Sequence, residues 1–473
     1  MDLFIDAASG RGLSAQLYEQ VRDGIAAGRL RPGDQLPPSR HLAQQLGFSR
    51  HTVTTAYGRL AAEGFIQGRA GGGSIVAQVP APPPQPTQRH AAITPSSRFS
   101  GWAPEPGPLA AGGCRFDLRA GIPDPGLFPA DAWRRRLAAA TAATAGRAPA
   151  GDPAGEIDLR RSIARWAGRS RSVVADETTV IVTSGAQHAV DLVARVLLEP
   201  GDTVATEDPG YPPVVSLLLA LGANVVSVPV DREGLVVDRL PDAARIVYLT
   251  PSHQYPLGVV MSMTRRRELL AWASRNGAAV IEDDYDSEFR YVDRPLEPIQ
   301  RLDGGSRVIY VGSFSKTLSP ALRLGFTVVP PALAGPIVAL RQLIDWHPPI
   351  TAQLALAGFI NDGLLDKHLR RTGRIYAQRH RILQTALVGP LSADLAAVTS
   401  TAGLHITARL SNGRREDEVR AAAADRGIAT TGLSQHFHAQ PAEPGLVIGF
   451  GAIEATELTA AVHALRHILA TRT

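Results

Sequence analysis

Seven apolar runs of strand length decide what most of this chain can fold into: Thr179–Thr183, Thr203–Thr206, Asn224–Pro229, Arg245–Thr250, Ala278–Glu282, Arg307–Val311 and Leu324–Val329. They are apolar nearly throughout, not at every second residue, and segments of helical length separate most of them. A strand apolar on both faces must be covered on both, which a mainly parallel sheet between layers of helices achieves. The pattern predicts an α/β region over 114–473. Ligands of such sheets sit beyond the carboxyl ends of the strands, so residues just after these runs are the candidates for chemistry.

Residues 1–78 follow a different pattern. Leu13, Leu17, Val21 and Ile25 recur every fourth residue, which predicts a helix ended by Gly28. A short helix is expected over Ser39–Leu46, capped by the Ser39 hydroxyl and broken by Gly47. Ser49 then opens a third, Arg50–Glu63. Two short helices about a tight glycine turn make a helix-turn-helix. Phe65–Gln67 and Ser74–Ala77 read as a hairpin with a flexible, basic tip. Bound to double-stranded DNA, such a winged unit puts its third helix in the major groove. Ser49, Arg50, His51, Thr52 and Thr54 would face base edges, Arg40 and Arg69 phosphates, and the glycine tip, Gly71 included, the minor groove. Ser39–Arg69 carries four arginines against one glutamate. The plainer alternative is a small helical domain for protein contacts. Beyond it, the proline-rich Val79–Arg89 opens an extended linker expected over 79–113.

The single cysteine, Cys114, excludes an internal disulfide and a cysteine-based metal cluster, and no metal site is expected. The N-terminus lacks a basic, apolar leader, and no apolar stretch approaches a membrane span of about 20 residues, so a cytoplasmic, membrane-free location is expected.

Of 49 basic residues only Lys316 and Lys367 are lysines. Arginine stays protonated and forms no Schiff base, so a lysine kept in such a chain draws notice. Lys367 lies in a charged run and reads as surface; Lys316 lies between apolar stretches, in Val311–Phe326. Other residues after strand runs complement it. Ser184, Gly185 and Ala186 start a helix whose free amides suit a phosphate. Ser313, Ser315 and Arg323 add hydroxyls and a guanidinium. In Glu282–Tyr285 a carboxylate could hold a protonated ring nitrogen and Tyr285 a ring oxygen, while the turn at Asp208–Pro213 presents Tyr211. Aldehyde, phosphate, ring nitrogen and phenolic oxygen are together the recognition points of pyridoxal 5′-phosphate (PLP).

Two resemblances agree. The segment Pro37–Ile66, with Ser39-Arg40, Ser49-Arg50-His51-Thr52, Tyr57 and Gly64-Phe65-Ile66, closely resembles the GntR family of bacterial transcription factors, in which the residues matching Arg40, Arg50, His51 and Thr52 contact DNA. From about Phe116 onward the chain resembles a fold-type I PLP aminotransferase, which implies a large subdomain over about 160–340 and a smaller C-terminal α+β subdomain over about 345–473, and the joined layout resembles the MocR-type branch of regulators. The resemblance implies a transcription regulator that senses a small-molecule effector, either PLP itself or an amino compound; the alternative is a working aminotransferase carrying a DNA-binding module. It implies that Lys316 carries the cofactor as an internal aldimine, Asp283 (or its competitor Asp284) pairs with the pyridinium nitrogen, and Tyr285 contacts the phenolic oxygen. Tyr211 would stack on the ring, and Ser184, Gly185, Ala186, Ser313, Ser315 and Arg323 would hold the phosphate. A head-to-tail homodimer is implied too. Two positions depart from the aminotransferase pattern. Tyr255, in Thr250–Gly258, stands where an Asn steadies the phenolic oxygen, and Val447 stands where an Arg binds the substrate carboxylate. A buried Val cannot pair an anion. His436, His438 or Arg409 would have to take that role, or the effector is not an α-amino acid.

Overall fold

The structure, a computed structural model, describes residues 5, 12–69, 73–78, 96, 114–146, 151–291, 297–439 and 442–470. The chain divides into two units, Met1–Pro95 and Ser96–Thr473. The linker expected over 79–113 lies, Ser96 apart, outside the described residues.

In the first unit the fourfold spacing forms helix α1 (Leu13–Ala26), followed by a two-residue strand β1 (Gln35–Leu36), then α2 (Ser39–Leu46), α3 (Arg50–Ala62), β2 (Ile66–Arg69) and β3 (Gly73–Val76). Leu17, Val21, Leu42, Val53, Leu60 and Val76 close one apolar core. β3 lies between β1 and β2, antiparallel to both. The expected cap at Ser49 is present, its hydroxyl accepting from the Thr52 N–H at 3.1 Å. The expected cap at Ser39 is not: Pro38 holds the N-cap position and no side chain caps α2. Ser39 is already the first helical residue, so its hydroxyl lacks the extended backbone a cap needs. Gly47, left-handed at φ 70°, ends α2. Gly71 lies outside the described residues.

The second unit begins with β4 (Phe116–Leu118), α4 (Ala130–Thr144) and α5 (Ile157–Arg171). There follow β5 (Val180–Thr183), α6 (Ala186–Leu197), β6 (Thr203–Asp208), α7 (Pro212–Ala220), β7 (Asn224–Asp231), β8 (Gly234–Leu235), β9 (Ala244–Leu249), α8 (Met263–Asn276), β10 (Ala279–Asp284), α9 (Ile299–Asp303), β11 (Val308–Ser313) and β12 (Gly325–Val328). All seven apolar runs are strands of one eight-stranded sheet, ordered β5-β12-β11-β10-β9-β6-β7-β8. β11, β10, β9, β6 and β7 run parallel; β12 is antiparallel to both neighbours. Successive strand residues enter different cores, which is why the runs had to be apolar throughout. Val204, Ile246 and Ile281 pack with α6 and α7; Ala205, Val247 and Val280 pack with α8. No helix among the described residues is long and apolar enough to cross a membrane.

The chain ends with α10 (Pro331–Asp345), α11 (Ile350–Asn361), α12 (Leu364–Val388), β13 (Leu395–Ala397), β14 (His405–Leu410), α13 (Glu416–Asp425), β15 (Ile428–Gly432), β16 (Gly445–Gly449) and α14 (Ala455–Ala470). A second, five-stranded sheet is ordered β13-β14-β16-β15-β4, so the early strand β4 returns to pair in parallel with β15. α11 packs with α4 and α5 against the large sheet. α12 serves both cores: Leu365 lies in the large one, and Tyr376, Leu383 and Leu387 lie in the small one.

Candidate functional site

Three strands bring the candidates together at one end of the large sheet. Ser313 at the end of β11 pairs with Gly325 of β12, and Gly325 pairs with Thr183 of β5. The turn Ser184–Gly185 thus lies beside the turn that carries Ser315 and Lys316. Arg323 spans them: its guanidinium donates to the Ser184 carbonyl at 2.6 Å. Gly185 has φ 93°, and a Cβ there would stand 3.3 Å from that guanidinium. Ala186 is the first residue of α6, whose N-terminus carries no side-chain cap. The Ser313 and Ser315 hydroxyls are 2.9 Å apart. The Ser184 N–H is taken up by His188 Nδ1 at 3.0 Å, but the uncapped first turn of α6, its dipole, two hydroxyls and a guanidinium together suit a phosphate.

Lys316 is half-buried, and its ammonium donates to the Gly121 carbonyl. Gly121 has φ 74°, and a Cβ there would approach Nζ to 2.9 Å, so the position needs glycine on both counts. Burial lowers the Lys316 pKa from its ordinary value; Asp286 and Asp283 act against that shift.

Strand alternation separates the two adjacent aspartates. Asp283 is buried; its Oδ2 accepts from the Tyr248 hydroxyl of β9 at 2.8 Å, while its Oδ1 is buried with no hydrogen-bond partner among the described residues. Burial pushes its pKa up to about 7, with Tyr248 opposing. Asp284 is engaged elsewhere: it accepts from Tyr310 and Ser287 and lies 3.4 Å from Arg171, which also pairs with Glu288.

Aromatic rings fill the space nearby. Tyr211, just before α7, meets Tyr255 edge-on at 5.5 Å. Tyr255 also meets Tyr285, His405 and His436 edge-on, at 5.9, 5.4 and 5.1 Å. Burial raises the Tyr211 phenol to about 12, and Tyr285 and Tyr255 also lie above their ordinary value. The Tyr285 hydroxyl is 2.9 Å from His253 Nδ1, which also faces Asp286 at 3.1 Å, and His253 Nε2 is 2.9 Å from the Ser400 hydroxyl. Ligand atoms of His253, Asp286 and His405 lie within 4.8 Å of one another. Both His253 nitrogens already have protein partners, and His405 Nε2 faces the Pro256 carbonyl at 2.9 Å, so we read the group as a hydrogen-bonded network.

The loop Thr250–Gly258 is fixed to β6: buried Glu207 accepts from the Thr250 N–H at 3.0 Å and its hydroxyl at 2.7 Å, and Gln254 donates to the Pro209 carbonyl at 2.8 Å. Val447 is fully buried with Leu257 and Leu433 in an apolar cluster. Of the three residues considered in its place, Arg409 is exposed and paired with Glu443, His438 is exposed, and His436 is buried beside Tyr255.

Sequence reasoning missed Gly121, Tyr248, and the His253–Asp286–Ser400 chain. Tyr248 left a signal, a lone hydroxyl in an apolar run; Gly121, 195 residues from Lys316, left none.

In the first unit Arg40, Ser49, Arg50, His51, Thr54 and Arg69 are exposed, and Thr52 is half-buried. The Ser49 and Thr52 hydroxyls bond each other at 2.8 Å, and Thr54 bonds back to the Arg50 and His51 carbonyls. Arg59 is engaged internally, 3.0 Å from Glu63 and stacked on Tyr18. Tyr57 donates to the Pro37 carbonyl at 3.0 Å, tying α3 to the entry of α2.

Comparison with known proteins accounts for both units. The family "Bacterial regulatory proteins, gntR family" matches residues 13–76, and "Aminotransferase class I and II" matches residues 116–465. The "Probable rhizopine catabolism regulatory protein MocR" of Rhizobium meliloti is 36% identical over 98% of this chain and 95% of its own length. The "HTH-type pyridoxine biosynthesis transcriptional regulator PdxR" of Corynebacterium glutamicum is 34% identical over 93% of this chain and 92% of its own. Among solved structures, a Pyrococcus horikoshii kynurenine aminotransferase superposes with a TM-score of 0.70 at 26% identity, covering 76% of this chain and 91% of that one. The chain therefore belongs to the MocR-type branch of the gntR family, a helix-turn-helix head joined to a class I and II aminotransferase fold.

Proposed function

We propose that this protein is a transcription regulator that reads double-stranded DNA with α3 and holds PLP at Lys316, so that a small molecule at the cofactor sets its action on DNA. One observation carries the cofactor reading: Asp283 Oδ1 is buried with no hydrogen-bond partner among the described residues, and Asp283 is near enough to Lys316 for their charges to interact. An unpaired buried carboxylate oxygen is costly unless a ligand's N–H meets it. Asp284 is spoken for by Arg171 and Tyr310, which favours Asp283 as the partner of the pyridine nitrogen. Ser184, Gly185, Ala186, Ser313, Ser315 and Arg323 would hold the phosphate, Tyr211 the ring face, and Tyr285, with Tyr255 close by, the phenolic oxygen.

PLP, when bound, supplies an aldehyde with which amines condense. The chain's own part is to bind and orient. Burial of Lys316 raises its neutral, nucleophilic fraction. Tyr248 keeps Asp283 aimed, and the His253–Asp286 pair fixes the Tyr285 hydroxyl. On the DNA side, Arg50, His51 and Thr54 would face bases and Arg40 and Arg69 phosphates. Two heads on a homodimer would match paired half-sites. Such a protein works at the nucleoid, in the cytoplasm. Val447 counts against a working aminotransferase, because the usual carboxylate partner is absent from that position.

The test is spectroscopic. Protein loaded with PLP and dialysed should stay yellow, and Lys316→Ala should come out of the same dialysis colourless while keeping DNA binding. A wild type that loses its colour would remove the cofactor from this account.

A further inference from the structure

His436 is the buried polar side chain of this site that the cofactor reading leaves unused. It is 4% exposed, and both its ring nitrogens are buried with no hydrogen-bond partner among the described residues. Its edge meets Tyr255 at 5.1 Å, and Tyr255 in turn touches Tyr211 and Tyr285. The backbone around it is firmly held. The Gly210 N–H donates to the His436 carbonyl at 2.9 Å, the His438 N–H donates to Asp208 at 2.8 Å, and Glu416 accepts from the Ser434 N–H at 2.9 Å. The imidazole is therefore fixed in place yet unsatisfied, an arrangement that costs free energy unless something meets it.

The charge around it narrows what that something is. Burial pushes the imidazole's pKa down to about 4, so it is neutral near pH 7. A neutral imidazole offers one N–H donor and one acceptor nitrogen. A carboxylate only accepts, so it can meet the ring through its N–H alone and never through its acceptor nitrogen. It would also bring a negative charge against the Tyr255 ring, 5.1 Å away, which offers no positive charge to meet it. A hydroxyl or carboxamide can donate or accept, so it can meet whichever ring nitrogen faces it, and it imports no charge.

We propose that His436 is the recognition residue for the effector, and that the effector is a primary amine whose far end is an uncharged hydrogen-bonding group, a hydroxyl or carboxamide, in place of a carboxylate. This rests on the reading of Lys316 as the PLP anchor. The amine end meets the cofactor; the neutral end pairs with His436.

The test titrates PLP-loaded, full-length protein with matched probes, following the visible spectrum: ethanolamine and glycinamide against glycine, and propanolamine against β-alanine. The alcohols and amide should perturb the spectrum saturably, at concentrations about tenfold or more below the amino acids. His436→Leu should weaken the neutral probes about tenfold, the loss of buried hydrogen bonds, with the starting spectrum unchanged. His436→Gln, which keeps one donor and one acceptor, should hold affinity within a few-fold. Val447→Arg should turn the preference towards glycine and β-alanine. Wild type that prefers the amino acids, neutral probes that give no saturable change, or a His436→Leu variant equal to wild type would each overturn the proposal. A yellow protein without the preference brings down this inference alone; a colourless wild type brings down the cofactor reading with it.

Discussion

At the start of α3, Arg50, His51 and Thr54 stand exposed on a small helical core, while at the end of the large sheet Asp283 and His436 are buried with ring or carboxylate atoms that nothing meets. The first surface is finished without its ligand: water satisfies its polar groups, and DNA must displace that water and the salt around its own phosphates. The second is already desolvated, and its groups gain partners only when a ligand arrives. A surface of the first kind yields binding that is salt-dependent and spread over many contacts. A site of the second kind yields binding concentrated in a few atoms and nearly indifferent to salt. One chain thus carries two recognition chemistries, and substitutions should sort cleanly between them.

The largest effects should separate the adjacent aspartates. Asp284→Ala leaves the buried Arg171 without one of its carboxylates and should cost about 3 kcal/mol of stability in denaturant unfolding, with bound PLP keeping its spectrum. Asp283→Ala should do the reverse, weakening PLP by roughly ten- to a hundredfold in a fluorescence titration, the worth of about 1.5–3 kcal/mol for a hydrogen bond to a charged group. If Asp284→Ala bleached the cofactor and Asp283→Ala did not, the assignment of faces would be inverted. Next in size, Arg50→Ala should cost about 1–3 kcal/mol in binding to an operator selected from a random duplex pool, and should relax preference at its base pair with PLP loading untouched. The smallest effect is a change of slope. Arg40→Ala should lower the dependence of log affinity on log salt by about one. Arg59→Ala should leave that slope alone, since Arg59 is held by Glu63 and Tyr18. An equal slope change in both would mean that exposure, not pairing, decides which arginines meet phosphate.

The sheet was legible because its strands are buried on both faces: Val204 and Ala205 enter different cores, so both had to be apolar, and the whole run stands out. The helix-turn-helix was legible from Leu17, Val21, Gly47 and Ser49, whose spacing and chemistry act locally. Residues that act across the fold were not. β4 joins the C-terminal sheet through pairing with Ile428, more than 300 residues on, which no local pattern encodes. Gly121 meets Lys316 by the same kind of long return. The Ser39 cap was misread because Pro38, already extended, starts the helix one residue sooner than the hydroxyl suggested. At Asp283 and Asp284 the alternation of a strand was readable, but which aspartate was left with an unmet oxygen depended on Tyr248, Tyr310 and Arg171 arriving from other elements.

On the proposed function these two recognition chemistries are coupled, the state of the Lys316 site reaching the DNA-reading head. This coupling is tested most directly by the affinity of full-length protein for its selected operator, measured at one salt concentration with PLP removed and with PLP bound. A severalfold difference is expected, and it should disappear in Lys316→Ala. Equal affinities for the two wild-type forms, with the loaded form yellow and the DNA specifically bound, would contradict it.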